Sequence, residues 1–165
     1  MSNVVYTIVN AAGGSLIGKV RLQKIAYVLD LAGLSAPMHH RYYHFGPYSD
    51  EVSRQASEAV AGGVVNLEEI PTEWGGAYTK YSAAVIDEVE SDIVQIVKVA
   101  SEVDSVVLEL AATAAFLKFE HKDDVWAETA RRKPLKSTPE RIERAKHLWS
   151  RLCNLPMPNK LPAIS

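Results

Sequence analysis

A single cysteine in 165 residues, Cys153, leaves no partner for an intrachain disulfide and too few thiolates for a zinc site. That scarcity suits a reducing cytoplasm. Long apolar runs are missing too. The nearest, Val103 to Leu117, is broken by Asp104, Ser105, Glu109 and Thr113, and falls short of the roughly 20 residues that span a bilayer. The opening Met1-Ser2-Asn3-Val4-Val5-Tyr6 has neither the basic nor the apolar region of a secretory signal. Net charge is small: 18 Lys and Arg against 20 Asp and Glu give −2, no bulk drive toward nucleic acid or anionic membrane. No Gly-x-Ser-x-Gly elbow, P-loop or Gly-x-Gly-x-x-Gly is present. These gaps point to a cytoplasmic protein that does not engage membranes, without catalytic chemistry, metal or cofactor.

What remains is ordinary globular composition, 47% apolar and 23% charged, in a length suited to one domain with a real core. The charges are unevenly spread. Residues 1–49 hold four bases and one acid, residues 50–120 four bases and fourteen acids, and residues 121–165 ten bases and five acids. Two accounts fit an acidic middle between basic ends. Either the ends fold back so that charges pair or face water, or one basic end offers a patch to a partner.

Patterning predicts a mainly α fold: a single compact domain of six or seven helices with a small β-hairpin, over 1–154. A short helix over 4–12 stops at Gly13-Gly14, and a second runs over 19–32. In the second, Val20, Leu22, Ile25, Val28, Leu29 and Ala32 make a broad apolar face, with Arg21, Lys24 and Asp30 pointing elsewhere. The aromatic stretch 39–45 reads as extended, ending in a turn at Gly46-Pro47. Ser49 caps a helix over 50–61. Segments 64–70 and 77–81 pair as the hairpin. A helix over 83–100 places Ile86, Val89, Ile93, Ile96, Val97 and Ala100 on one stripe, its acids Asp87 to Asp92 early. A helix over 103–118, apolar nearly all round, belongs at the centre. Two more follow: 124–132, and one opened by Thr138, Pro139 and Glu140. The proline-rich tail, 155–165, is expected to be extended and mobile.

Little of this carries chemistry. His39, His40 and His44 invite a metal reading, but an extended segment with few nearby acids favours structural histidines. Cys153 sits on an apolar helix stripe, where core packing is the plain reading. Helices followed by a hairpin also suggest a winged helix on DNA. However, the helix at 50–58 carries three acids and one Arg, and the hairpin adds Glu68, Glu69 and Glu73. Setting those acids on phosphates costs free energy, where nucleic-acid binders gain it through counterion release.

Three segments, taken together, resemble the SocA-like or Panacea antitoxin domain superfamily, in its YwgA-like branch. Gly18-Lys19-Val20-Arg21-Leu22-Gln23-Lys24-Ile25-Ala26-Tyr27 is similar to its Lys-Leu-Gln-Lys-Leu-x-Tyr helix, with Arg21 in place of the first Lys. Tyr43-His44-Phe45-Gly46-Pro47-Tyr48-Ser49 resembles its aromatic-x-x-Gly-Pro turn. Leu108 to Leu117, and Arg132-Lys133-Pro134-Leu135-Lys136 before a helix, resemble that branch as well. Ala114-Ala115 departs from the larger or polar residues of the pattern, which limits that helix to packing. The resemblance spans about 18–153. It implies a non-catalytic protein-binding module, like antitoxins that neutralise a toxin by contact or deliver it to a protease.

On that reading the partner is a protein, such as a toxin encoded nearby, and a homodimer is compatible with it. Arg21, Gln23, Lys24, Tyr42, Tyr43, Gly46, Pro47 and Tyr48 are the candidate partner-binding residues. Gly46-Pro47 would hold a rigid aromatic cluster, and aromatic side chains anchor interfaces at low entropic cost. The plain alternative is that the aromatics and Gln23 lock one helix to the next, with Gln23 bonding the turn's backbone from within and Tyr27 and Phe45 in the core. A nucleic-acid regulator using Arg131 to Lys136 with Arg141 and Arg144 is the alternative function.

Overall fold

Asn3 opens the first helix in the computed structural model, which describes residues 3–120 and 122–165. Its side chain accepts the Tyr6 N–H at 3.0 Å and starts α1 (Val4–Ala11). Met1, Ser2 and His121 lie outside the described residues, including the first two positions of the expected domain. Gly13 and Gly14, at φ +88° and +104°, turn the chain into a short strand that periodicity misses, β1 (Ser15–Ile17). Next come α2 (Lys19–Leu31), β2 (Arg41–Tyr43), β3 (Gly46–Tyr48), α3 (Asp50–Ala61), β4 (Val65–Pro71) and β5 (Ala77–Ala83). The rest is helical: α4 (Ser91–Ser101), α5 (Ser105–Phe119), α6 (Val125–Arg132) and α7 (Pro139–Cys153). Among the described residues, these seven helices bear out the mainly helical fold.

The expected hairpin exists as β4–β5, pairing Val65 with Ala83 through Pro71 with Ala77. It is wider than expected, because β1 adds to the far side of β5 and completes a sheet ordered β1-β5-β4. The run α1-β1-α2-α3-β4-β5 with that sheet order has the element order of a winged helix. A second, two-stranded sheet, β2–β3, is inserted between α2 and α3.

The helix expected over 83–100 begins only at Ser91. Ala83 remains in the β5 ladder, and Ala84 N–H donates to Val64 O at 2.9 Å. Backbone committed to a sheet edge cannot start a helix. Ile86 is therefore 76% exposed instead of facing the core, and of the acids 87–92 only Asp92 lies in the first turn. Asp87 instead accepts a hydrogen bond from the Tyr6 hydroxyl and donates its N–H to Asn10.

α5 is the buried centre, as its apolar circumference predicts. Leu110, Ala111, Ala112, Ala114 and Ala115 are wholly buried, and α2, α6, α7 and β3 pack around it. Alanines at 114 and 115 allow that close approach. α7 starts on Thr138, whose hydroxyl accepts the Arg141 N–H at 3.2 Å, and packs Ala145, Leu148, Trp149 and Leu152 inward. The tail is extended, as expected, but lies packed on the body. Trp149 Nε1 donates to Pro162 O at 2.7 Å, Asn159 N–H to Ala32 O at 3.0 Å, and Leu161 joins the core. No helix among the described residues is long and apolar enough to cross a membrane.

Candidate functional site: a basic, aromatic-walled cleft

The β2–β3 hairpin is where most of the candidate residues meet. Tyr43 pairs with Gly46, so His44 and Phe45 form the loop, and Gly46-Pro47 opens β3 instead of making the turn itself. Gly46 sits at φ +89°, and a Cβ there would stand 2.5 Å from Thr113 Oγ1 on α5. Only glycine fits both constraints. Pro47, without an N–H, suits a two-stranded edge.

Two side chains of α2 hold this hairpin from beneath. Lys24 is 1% exposed, and its ammonium donates to Pro47 O at 2.8 Å. Gln23 donates to Ser49 O at 3.0 Å and to Ser53 Oγ at 3.1 Å, and accepts the Ser49 N–H at 2.9 Å. Gln23 thus takes the inward role. Of the candidate partner-binding residues, Lys24, Gln23, Gly46 and Pro47 are buried and hold the hairpin rather than face outward. Helical periodicity places Lys24 off the apolar stripe, but α5 and β3 cover that side of α2 as well. Arg21 also turns to the backbone, donating to Val103 O at 2.7 Å and Ala100 O at 3.3 Å. It thereby satisfies carbonyls at the end of α4.

The aromatics divide differently from expectation. Tyr27 is core, and burial raises its phenol pKa. Phe45, expected in the core, is 48% exposed, and Tyr43 is 43% exposed. Tyr48 bonds Ser53 through its hydroxyl at 2.8 Å, and Tyr42 lies against Phe116. Arg41 lies over the rings of Tyr43 and Tyr48.

Across from the hairpin, the end of α6 and the segment after it form the other wall of an open cleft of about 580 Å³. Its walls are Tyr42, Tyr43 and His44 on one side, and Arg132 through Lys136 on the other. Both lysines of that second wall are tied to a buried carboxylate that residue spacing does not announce. Glu109, on α5, is 2% exposed and lies 2.9 Å from both Lys133 Nζ and Lys136 Nζ. Arg132 stacks over Tyr42 at 4.9 Å, and Lys136 over Phe45 at 4.6 Å. Leu135, beside them, is 93% exposed.

One carboxylate thus meets two ammonium groups, Lys133 and Lys136. Burial lowers the Lys24 pKa to about 8; Glu109 opposes that shift, and Lys133 and Lys136 add to it. A signal for this cluster was available. A lone acid inside an otherwise apolar helix requires a buried cation. The basic run 131–136 was the place to look.

The three histidines do not converge. The His40 ring is buried edge-on to Tyr27, with Nδ1 3.6 Å from Asp30, while His44 stacks on Tyr43 in the loop. Among the described residues no three His, Cys, Asp or Glu side chains gather as metal ligands. Cys153 is half-buried, and burial raises its thiol pKa, away from the thiolate. No family model matches this chain, and no curated protein or solved structure does either.

Proposed function

We propose that this chain is a non-catalytic protein-binding module, resembling the antitoxin of a toxin–antitoxin pair, that grips its partner with the β2–β3 hairpin and the 132–136 segment. One observation carries the reading. Tyr43 and Leu135 expose large apolar surface on opposite walls of one cleft, and Phe45 stands beside it against Lys136, with the hairpin held from below by Lys24, Gln23 and Gly46. Rigid, exposed aromatics beside cationic side chains are the anchors from which interfaces draw most of their affinity. A preorganised hairpin loses little entropy when it is covered.

The nucleic-acid alternative draws on the same cations but gains nothing from the winged-helix elements. On α3, Arg54 is already paired with Glu51 and Glu58, and the wing strand β4 presents Glu68. Acids in those places oppose a phosphate backbone.

The test is co-expression with the product of the adjacent reading frame, followed by titration of the purified pair. A stoichiometric complex is expected, weakened about tenfold by Phe45→Ser or Leu135→Ser, while the melting curve of the free chain stays unchanged. Equal affinity in both variants removes the surface from the reading.

A further inference from the structure

The cations of the cleft are under-used. Lys136 hydrogen-bonds Glu109, at 2.9 and 3.0 Å, and otherwise meets only the face of the Phe45 ring, although its side chain is 33% exposed and has three N–H groups to donate. Lys133 reaches Glu109 and, at 3.3 Å, His44 O. Arg132, 25% exposed at its side chain, bonds Glu128 through Nε and lies over the Tyr42 ring. Glu128 is itself shared with Arg131. Donors and positive charge therefore both exceed what the surrounding acids absorb. On either side of this surplus stand exposed apolar groups, Phe45 and Leu135.

We propose that the cleft takes an acidic segment of the protein partner, with a carboxylate bound by Lys136 and Arg132 and a neighbouring large apolar side chain lying between Phe45 and Leu135. The proposal rests on the binding-module reading and adds the chemistry of the occupant. Charge complementarity decides the sign: a basic segment would meet three like charges, and a neutral one would leave the donors unpaired. The apolar rim decides between anions. A nucleic-acid backbone would bring phosphates with no aliphatic group to cover Leu135. A carboxylate arriving at Lys136 completes its donor set without taking Glu109 from Lys133, so the buried pair on α5 survives binding.

Fluorescence anisotropy of the intact chain tests this with three labelled probes. The first is a short peptide alternating Asp or Glu with Phe or Leu, the second its Asn and Gln twin, and the third a short single strand of DNA. The acidic peptide is expected to bind in a salt-sensitive manner, with the amide twin about tenfold weaker. Lys136→Ala is expected to cost about tenfold, Lys136→Arg little, and Lys146→Ala on α7 nothing. Circular dichroism on each variant confirms that the fold is intact. Equal binding of the twin, tighter binding of DNA, or no peptide binding overturns the proposal. If the peptide fails while Phe45→Ser still breaks the complex with the neighbouring gene product, the acidic occupant is wrong and the module reading stands. If the peptide binds but that complex is indifferent to Phe45→Ser and Leu135→Ser, the module reading fails instead.

Discussion

Lys24 Nζ donates to the carbonyl oxygen of Pro47 at 2.8 Å, tying the middle of α2 to the strand behind the exposed aromatic loop. The link is made by a charge in the interior, and buried charge costs free energy unless it is well partnered. Glu109 supplies part of the compensation, while Lys133 and Lys136 work against it. The hairpin is thus held by an electrostatic arrangement whose components respond separately to pH and to substitution.

Lys24 makes stability depend on alkaline pH. Its folded pKa is about 8 against 10.5 for the ordinary side chain, so between those values the unfolded chain binds more protons. Stability must then rise with pH across that window, by about 3 kcal/mol in full. Burial raises the Tyr27 phenol pKa and lifts that of Tyr81 to about 12, so their contributions fall above pH 10 and close the window there. Urea denaturation from pH 8 to 10 should show the rise in the parent chain and lose it in Lys24→Met. An unchanged slope would clear Lys24 of the role.

Gly46→Ala should destabilise the protein by about 2 kcal/mol. Positive φ strains any L side chain, and the added methyl must displace Thr113 Oγ1 on the central helix. The equivalent change at Gly63, also at positive φ but with open space around it, carries only the backbone penalty. A denaturation midpoint no lower for Gly46→Ala than for Gly63→Ala would show that the α5 contact is not tight.

Glu109→Gln should cost about 3 to 5 kcal/mol, because it leaves Lys133 and Lys136 beside an uncharged amide. Adding Lys133→Met removes the more deeply buried ammonium and should recover part of that loss. A double-mutant cycle on unfolding free energies measures the coupling. Strict additivity would mean that the pair does not interact.

The tail contributes to stability as a strap. Leu161→Ala should cost about 2 kcal/mol, the value for truncating a buried aliphatic side chain. Removing residues 155–165 should cost more, since Trp149 also loses its acceptor at Pro162. Thermal melts of both chains check this, and an unaltered midpoint on truncation would show the strap to be dispensable.

Local signals located nearly every element. Caps at Ser49 and Thr138 start helices where the sequence places them, because capping is settled within four residues of chain. The apolar circumference of α5 announced its burial for the same reason: no single face could go outward. Several features escaped that kind of reading, among them the turn, which falls at His44-Phe45 and leaves Gly46-Pro47 to open β3. β1 is three residues long and exists only because β5 returns beside it. The start of α4 was hidden by apolar residues at 85, 86 and 89 that imitate a helical stripe while the backbone before them belongs to the sheet. Phe45 and Lys24 exchanged the places that residue type suggests, the ring outward and the ammonium inward.

The sequence alone therefore determined six of the seven described helices and the core of the other, the caps of α3 and α7, the wing hairpin and the central position of α5, all of which follow from spacing and composition within a short window. The tertiary structure decided the cleft. Residues 24, 42–47, 109 and 132–136 come together only when α2, α5 and the end of α6 pack around the hairpin, and the burial of Lys24 and Glu109 is a property of that packing. No periodicity along one chain segment encodes how deeply a charge will sit beneath another.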